Sequence, residues 1–118
     1  MPTGYSMLEK LICQTPHACS VYDQSEMFES MLGKVVKKEF QSFSKQNDKG
    51  AILYFQFDKE FTGQNFLESL LWGDSQKPST SEPDEYLAKG NILIIWSFKL
   101  KSEIKQVSMT KVQTIFGQ

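Results

Sequence analysis

Both cysteines and the only histidine of this chain, Cys13, His17 and Cys19, fall within seven consecutive positions. Thiolate and imidazole groups hold zinc and act as nucleophile and base, so these three residues are the catalytic or metal-ligating candidates. Their spacing, C-x3-H-x-C, matches neither the paired C-x2-C pattern of zinc sites nor the C-x-x-C motif of thiol exchange. The simpler interpretation is a turn that connects the first helix to the sheet. We therefore predict no metal and no cofactor.

A second group of candidates surrounds a long polar segment, residues 74–90. The predicted partner- or ligand-binding residues are Trp72, Asp74, Asp84, Glu85 and Tyr86. Large aromatic residues contribute strongly to interfaces, and loops of this length in small domains are often functional. The alternative is that Trp72 closes the core beneath its helix and that the loop is solvated. The acidic residues of this segment lack the regular ligand spacing of calcium-binding loops.

The charge of the chain weighs against nucleic acid as a partner. All thirteen basic residues are lysines, and the net charge is −1. Arginine is the usual residue for bidentate recognition of phosphate and guanine, and it is absent. No apolar run approaches the roughly 20 residues that cross a bilayer. With no visible secretory leader, we expect a cytoplasmic protein without membrane contact whose two cysteines stay reduced.

Periodicity in the first half of the chain predicts two helices and two strands. A short helix is expected over residues 5–12, and a strand over 18–22. Asp23 begins a capping-box pattern, and an apolar stripe predicts a long helix over 27–43. The segment 51–57, with apolar residues on both faces, is expected to be a covered strand.

The second half predicts a helix, a central strand and a last helix. The helix is expected over 62–72 with Thr62 as N-cap, and the strand over 91–98. Ser102 is the predicted cap of the final helix. Together these elements predict an α/β or α+β fold, in a single domain over residues 1–118. Three to four helices should flank a small mixed sheet of three to four strands.

These observations favour a small non-enzymatic domain that regulates or inhibits through a protein partner or through self-association, with a homodimer among the expected forms. The chain has no glycine-rich phosphate loop and no HExxH motif. Two alternatives stay open. One is an enzyme or a metal or thiol sensor centred on Cys13, His17 and Cys19, and the other is a metabolite-binding domain closed by loop 74–90.

Overall fold

The computed structural model describes residues 6–45, 48–73, 77–81 and 83–116. In chain order the elements are β1 (Ser6–Leu8), α1 (Pro16–Asp23), a 3-10 helix (Ser25–Phe28), α2 (Glu29–Leu32), β2 (Val35–Lys45), β3 (Asp48–Phe57), α3 (Gln64–Trp72), β4 (Glu85–Lys89), β5 (Ile92–Ser97) and α4 (Glu103–Phe116). In this part of the chain, five strands form one sheet in the order β1-β2-β3-β5-β4. An α+β fold with four α-helices is confirmed.

Every strand pair of the sheet is antiparallel, so the predicted mixed sheet is wrong, and three to four strands were too few. One of the missed strands is β4, which lies inside the segment predicted to be a loop over residues 74–90. It joins β5 through a turn in which Gly90 has a φ of 59°. Glycine adopts this left-handed conformation readily, and a two-residue turn of this kind joins antiparallel strands.

The predictions for residues 5–12 and 18–22 are both wrong. The first segment contains strand β1, which pairs with Ser42–Ser44 of β2 rather than forming a helix. The second lies in helix α1, which begins at Pro16. Proline suits the first position of a helix because its missing N–H has no partner there and its φ angle is already helical. Here Pro16 starts a helix, whereas the sequence was interpreted as the end of one.

The long helix predicted over residues 27–43 is also wrong. A short 3-10 helix and α2 occupy its beginning, and the chain then turns at Gly33, where φ is 109°. A side chain is strained at that angle, so the glycine ends the helical segment. Strand β2 follows, and its alternation sends Phe40 and Phe43 to opposite faces of the sheet. The apparent helical stripe therefore joins residues that do not share a face.

The other elements are confirmed with small changes. Residues 51–57 lie in β3 and are covered on both faces, and β5 lies between β3 and β4 as a central strand. Helix α3 has Gly63 rather than Thr62 as its N-cap. Ser102 caps α4, since its Oγ accepts a hydrogen bond from the Lys105 N–H at 3.3 Å.

The sheet has a core on each side. Helices α1 and α3 cover one side, which we call the α1–α3 face, and the single helix α4 lies on the other, the α4 face. Buried residues on the α1–α3 face include Ala18, Val21, Leu53, Phe55, Leu67, Leu71, Leu93 and Ile95. Those on the α4 face are Phe43, Ile94, Trp96, Phe98 and Ile104. Among the described residues, no helix has both the length and the apolar character needed to cross a bilayer.

Candidate functional site

Cys13 and Cys19 form a disulfide, with their Cα atoms 5.8 Å apart, and no cysteine is free. The expectation of reduced thiols is therefore wrong. Because Cys19 lies in helix α1 rather than on a strand, the chain curls back and brings the two residues together. While this bond is intact, neither sulfur is a thiolate that could attack a substrate or bind a metal. Disulfides persist in oxidising compartments, so one reason for expecting a cytoplasmic protein is lost.

His17 lies in the first turn of α1, between the two cysteines, and is half-buried. Within the described ranges, no three histidine, cysteine, aspartate or glutamate side chains are grouped so that they could hold a metal ion. Burial raises the pKa of the Asp84 carboxyl, and the charge of His17 is one of the effects that oppose this rise. The structure thus brings His17 near one of the predicted binding residues, rather than to a pair of thiols.

The segment that leads into α1 crosses one end of the sheet. A row of small side chains, Ser42, Ala51 and Ser97, runs across β2, β3 and β5 at this point. The Ile12 N–H donates to Ser42 Oγ at 3.0 Å, and the Gln14 N–H donates to Ser97 Oγ at 2.8 Å. The serine hydroxyls thereby satisfy main-chain groups that would otherwise lose their hydrogen bonds on burial. We call residues 12–15 the crossing segment.

Asp84, fully buried just before β4, fastens the crossing segment to the sheet. Thr15 Oγ1 donates to Asp84 Oδ2 at 2.5 Å, and Ser97 Oγ donates to Asp84 Oδ1 at 2.7 Å. Burial raises the pKa of Asp84 above its usual 3.8, against the opposing effects of the two hydroxyl hydrogen bonds and of the charges of His17 and Lys105. The three linked side chains, Thr15, Asp84 and Ser97, form the Asp84 cluster.

Glu85, the next residue, belongs to a different polar cluster on the α4 face. Its Oε2 lies 2.5 Å from the Lys105 ammonium, and Lys105 is fully buried while the Glu85 side chain is 26% exposed. The same ammonium donates to the Leu100 carbonyl oxygen at 2.8 Å. This ion pair joins β4 to α4 and to the loop before it. We call Glu85 and Lys105 the Glu85 pair.

Trp72 and Tyr86 pack together with their ring centroids 5.9 Å apart. The Trp72 Nε1–H donates to the main-chain oxygen of Asp84 at 2.7 Å, and the Tyr86 hydroxyl donates to Glu68 Oε2 at 2.5 Å. Burial, together with the hydrogen bond and the charge of Glu68, raises the pKa of Tyr86. Trp72 is 9% exposed and belongs to the core. Asp74, the remaining predicted binding residue, lies outside the described residues.

A groove opens beside the crossing segment, between the loop that precedes β4 and the loop that joins β5 to α4. Its volume is about 360 Å³, and its lining residues are Gln14, Thr80, Pro83, Lys99, Leu100 and Lys101. Lys99 and Lys101 are exposed, while Leu100 between them is half-buried. Sequence reasoning missed this groove, although an apolar residue between two lysines in "SFKLKSE" was a signal that could have been used.

The structure therefore brings the described candidate residues to one end of the sheet but divides them among separate clusters. His17, Trp72, Asp84, Glu85 and Tyr86 lie at or near one end of the sheet, and most of their polar atoms already have partners inside the protein. Thr15, Ser97 and Lys105 complete these clusters and were not predicted. Comparisons with protein-family models, curated proteins and solved structures find no match to this chain.

Proposed function

We propose that this chain is a non-enzymatic protein-interaction domain that binds an extended, acidic segment of a partner protein in the groove beside the crossing segment. The observation that carries the proposal is the charge of the groove. Lys99 and Lys101 stand on either side of Leu100, and none of the described lining residues is acidic. An apolar contact between two exposed cations favours a partner residue of apolar character with carboxylates close by.

A second groove shows by contrast why charge matters. It is lined by Ser25, Glu26, Glu29, Val35, Val36, Lys37 and Lys38. Two glutamates and two lysines are among its lining residues, so their formal charges cancel and give no preference for a partner of either charge. The groove with Lys99 and Lys101 has such a preference, and electrostatic complementarity gives specificity and faster association.

The residues whose side chains could take part in catalysis support a role in binding instead. Cys13 and Cys19 are joined to each other. Asp84 has no exposed surface and accepts hydrogen bonds at both carboxylate oxygens. A catalytic group must come within hydrogen-bond distance of its substrate, and these groups are occupied by contacts that hold the fold.

The test is selection from a displayed library of random peptides on the purified, oxidised protein. We expect the enriched peptides to carry several aspartates or glutamates around an apolar residue. A synthetic peptide of the enriched sequence should bind with an affinity that falls as salt is raised, because exposed charges are screened. The variant Lys99→Glu/Lys101→Glu should bind that peptide at least about tenfold more weakly, since two attractions become repulsions.

The matched control is Lys34→Glu/Lys59→Glu, which makes the same charge change at two exposed lysines near the opposite end of the sheet. It should bind the peptide as the wild type does. If the two double variants lose affinity equally, the groove is not the binding site. If no acidic peptide is enriched while small carboxylic acids raise the melting temperature, a metabolite-binding role replaces the proposal.

A further inference from the structure

Strand β4 lies at the outer end of the sheet, after β5, and in the described part of the chain no strand pairs with its free side. An unpaired strand edge presents main-chain N–H and C=O groups that can pair with another strand. All five residues of β4 pair with β5 in one unbroken register, from Glu85 opposite Trp96 to Lys89 opposite Ile92. The edge therefore has no bulge that would interrupt pairing with a further strand.

The sequence of β4, Glu85-Tyr86-Leu87-Ala88-Lys89, complements itself in an antiparallel arrangement. If two copies pair about a twofold axis at Leu87, each Glu85 lies opposite Lys89 of the other copy. Tyr86 then lies opposite Ala88, a large side chain against a small one, and Leu87 lies opposite its own counterpart. Opposite charges and apolar pairs directly across two strands stabilise a sheet.

We propose that two copies of this chain associate through their β4 edges, with Leu87 at the twofold axis, to form one continuous ten-stranded sheet. Charge complementarity identifies a second copy as the partner. When two β4 strands pair in this register, Glu85 of each copy lies against Lys89 of the other. This surface is distinct from the groove, and the inference does not rest on the proposed function.

The internal contact of Glu85 leaves room for the pairing. One oxygen of the Glu85 carboxylate is held by Lys105, and a carboxylate can accept from a second cation at its other oxygen. Glu85, Leu87 and Lys89 all belong to the α4 face, so the two new ion pairs flank the Leu87 contact. Residues 85–88 are half-buried and Lys89 is exposed, as an edge strand with one open side should be.

At the opposite edge of the sheet, the part of β2 that β1 does not cover is protected against pairing with another chain. A bulge interrupts its register between Val35 and Lys37, and β1 covers only Ser42–Ser44. Lys38 folds back, with its ammonium 4.8 Å from the centre of the Tyr22 ring and donating to the Tyr22 carbonyl oxygen. Bulges and edge lysines are the devices that prevent strands from pairing. The β4 strand has no bulge, and its single lysine meets a carboxylate in the proposed pairing.

The first test is sedimentation velocity over a concentration series of the oxidised protein. We expect a monomer–dimer equilibrium that Lys89→Glu weakens by about tenfold or more, since it puts two pairs of carboxylates opposite each other. Lys59→Glu, the same charge change at an exposed position outside the edge, should leave the equilibrium unchanged. Thermal unfolding of each variant shows that the change does not act through the fold.

The second test fixes the register. In the proposed dimer the two Leu87 Cα atoms lie about 5 Å apart, within disulfide distance. Leu87→Cys should therefore form a cross-linked dimer under mild oxidation, whereas the exposed control Thr62→Cys should not, and peptide mapping should find the bond between the two introduced cysteines. A protein that stays monomeric at millimolar concentration overturns the inference. A dimer that ignores Lys89→Glu and cross-links equally at both positions also overturns it.

Discussion

Asp84 and Glu85 are adjacent in sequence, yet their carboxylates are stabilised by different means on opposite sides of the sheet. Asp84 is completely buried and accepts hydrogen bonds from the neutral hydroxyls of Thr15 and Ser97. Glu85 is partly exposed and pairs with the buried ammonium of Lys105. In one cluster the buried charge is the carboxylate itself, and in the other it is the cation. Stability should therefore depend on a different residue in each cluster, and Asp84 should add a dependence on pH.

The largest effect is expected at Lys105. Lys105→Met keeps the length of the side chain but leaves Glu85 without its cation and the Leu100 carbonyl without its donor. We expect the free energy of unfolding to fall by about 3 kcal/mol, at the lower end for a broken buried pair because Glu85 is partly exposed. Urea denaturation measures this. The double variant Lys105→Met/Glu85→Gln should recover part of the loss, and the absence of any recovery would mean that the pair is not coupled.

The disulfide ranks second. Replacing Cys13 and Cys19 with alanine opens a loop whose ends are six residues apart in sequence, and for a loop this short the expected loss is about 2 kcal/mol. The loop contains Thr15, so the loss should be coupled to Asp84→Asn in a double-mutant cycle. It should simply add to the loss from Lys105→Met, which lies on the other face. If the loss from removing the disulfide were coupled equally to Asp84→Asn and to Lys105→Met, the two clusters would not be independent.

Asp84→Ala should have a smaller effect, about 1 to 2 kcal/mol. The change leaves the hydroxyls of Thr15 and Ser97 buried without an acceptor, which is unfavourable. It also removes a carboxylate whose burial is itself unfavourable, and the two terms partly cancel. Asp84→Asn, which retains one acceptor oxygen, should lose less than Asp84→Ala. A larger loss in the asparagine variant than in the alanine variant would show that the two hydroxyl hydrogen bonds do not matter.

The smallest effect is a pH dependence that belongs to Asp84. Because burial raises its pKa in the folded state above 3.8, the folded protein holds the proton more tightly than the unfolded chain. Its contribution to stability is complete below pH 3.8 and is lost as the pH rises through the folded-state pKa. The unfolding free energy of the wild type minus that of Asp84→Asn should therefore fall from pH 3.5 towards neutrality. A difference that rises with pH would contradict the raised pKa.

The elements β3, α3, β5 and α4 could be predicted because their local patterns and their packing agree. The segment 51–57 alternates apolar side chains that the structure buries on both faces, and Ser102 caps α4 as expected. The β4 strand was missed because residues 74–90 were treated as one polar loop. Gly90 and Asn91 nevertheless form a two-residue turn before an apolar strand, which was a usable hairpin signal.

The first third of the chain could not be predicted because distant residues decide its structure. Strand β1 has only three residues and is a strand only because β2 is available to pair with it. The helical stripe over 27–43 matched a period of 3.6 by coincidence, and its charged positions fit an exposed strand edge equally well. The predicted helix also ran through Gly33, where a φ of 109° ends the helical segment.

The candidate site was predicted in part. Asp84, Glu85 and Tyr86 were selected as polar or aromatic residues near a loop, and the structure gives each a specific internal partner. The partners themselves gave no signal. Thr15 is 69 residues away from Asp84 in sequence, and serine and threonine hydroxyls are too common to indicate which carboxylate they contact.

The crossing segment also determines how the molecule would respond to a pulling force. If the chain is pulled by its N-terminus, the three residue pairs of β1 peel from β2 one after another. The load then reaches residues 12–15, which are bonded to Ser42, Ser97 and the Lys49 carbonyl oxygen on three different strands. These bonds must be sheared together rather than unzipped singly, and the disulfide passes the load on to α1. The unfolding force should therefore be low while β1 detaches and should rise when the load reaches the crossing segment.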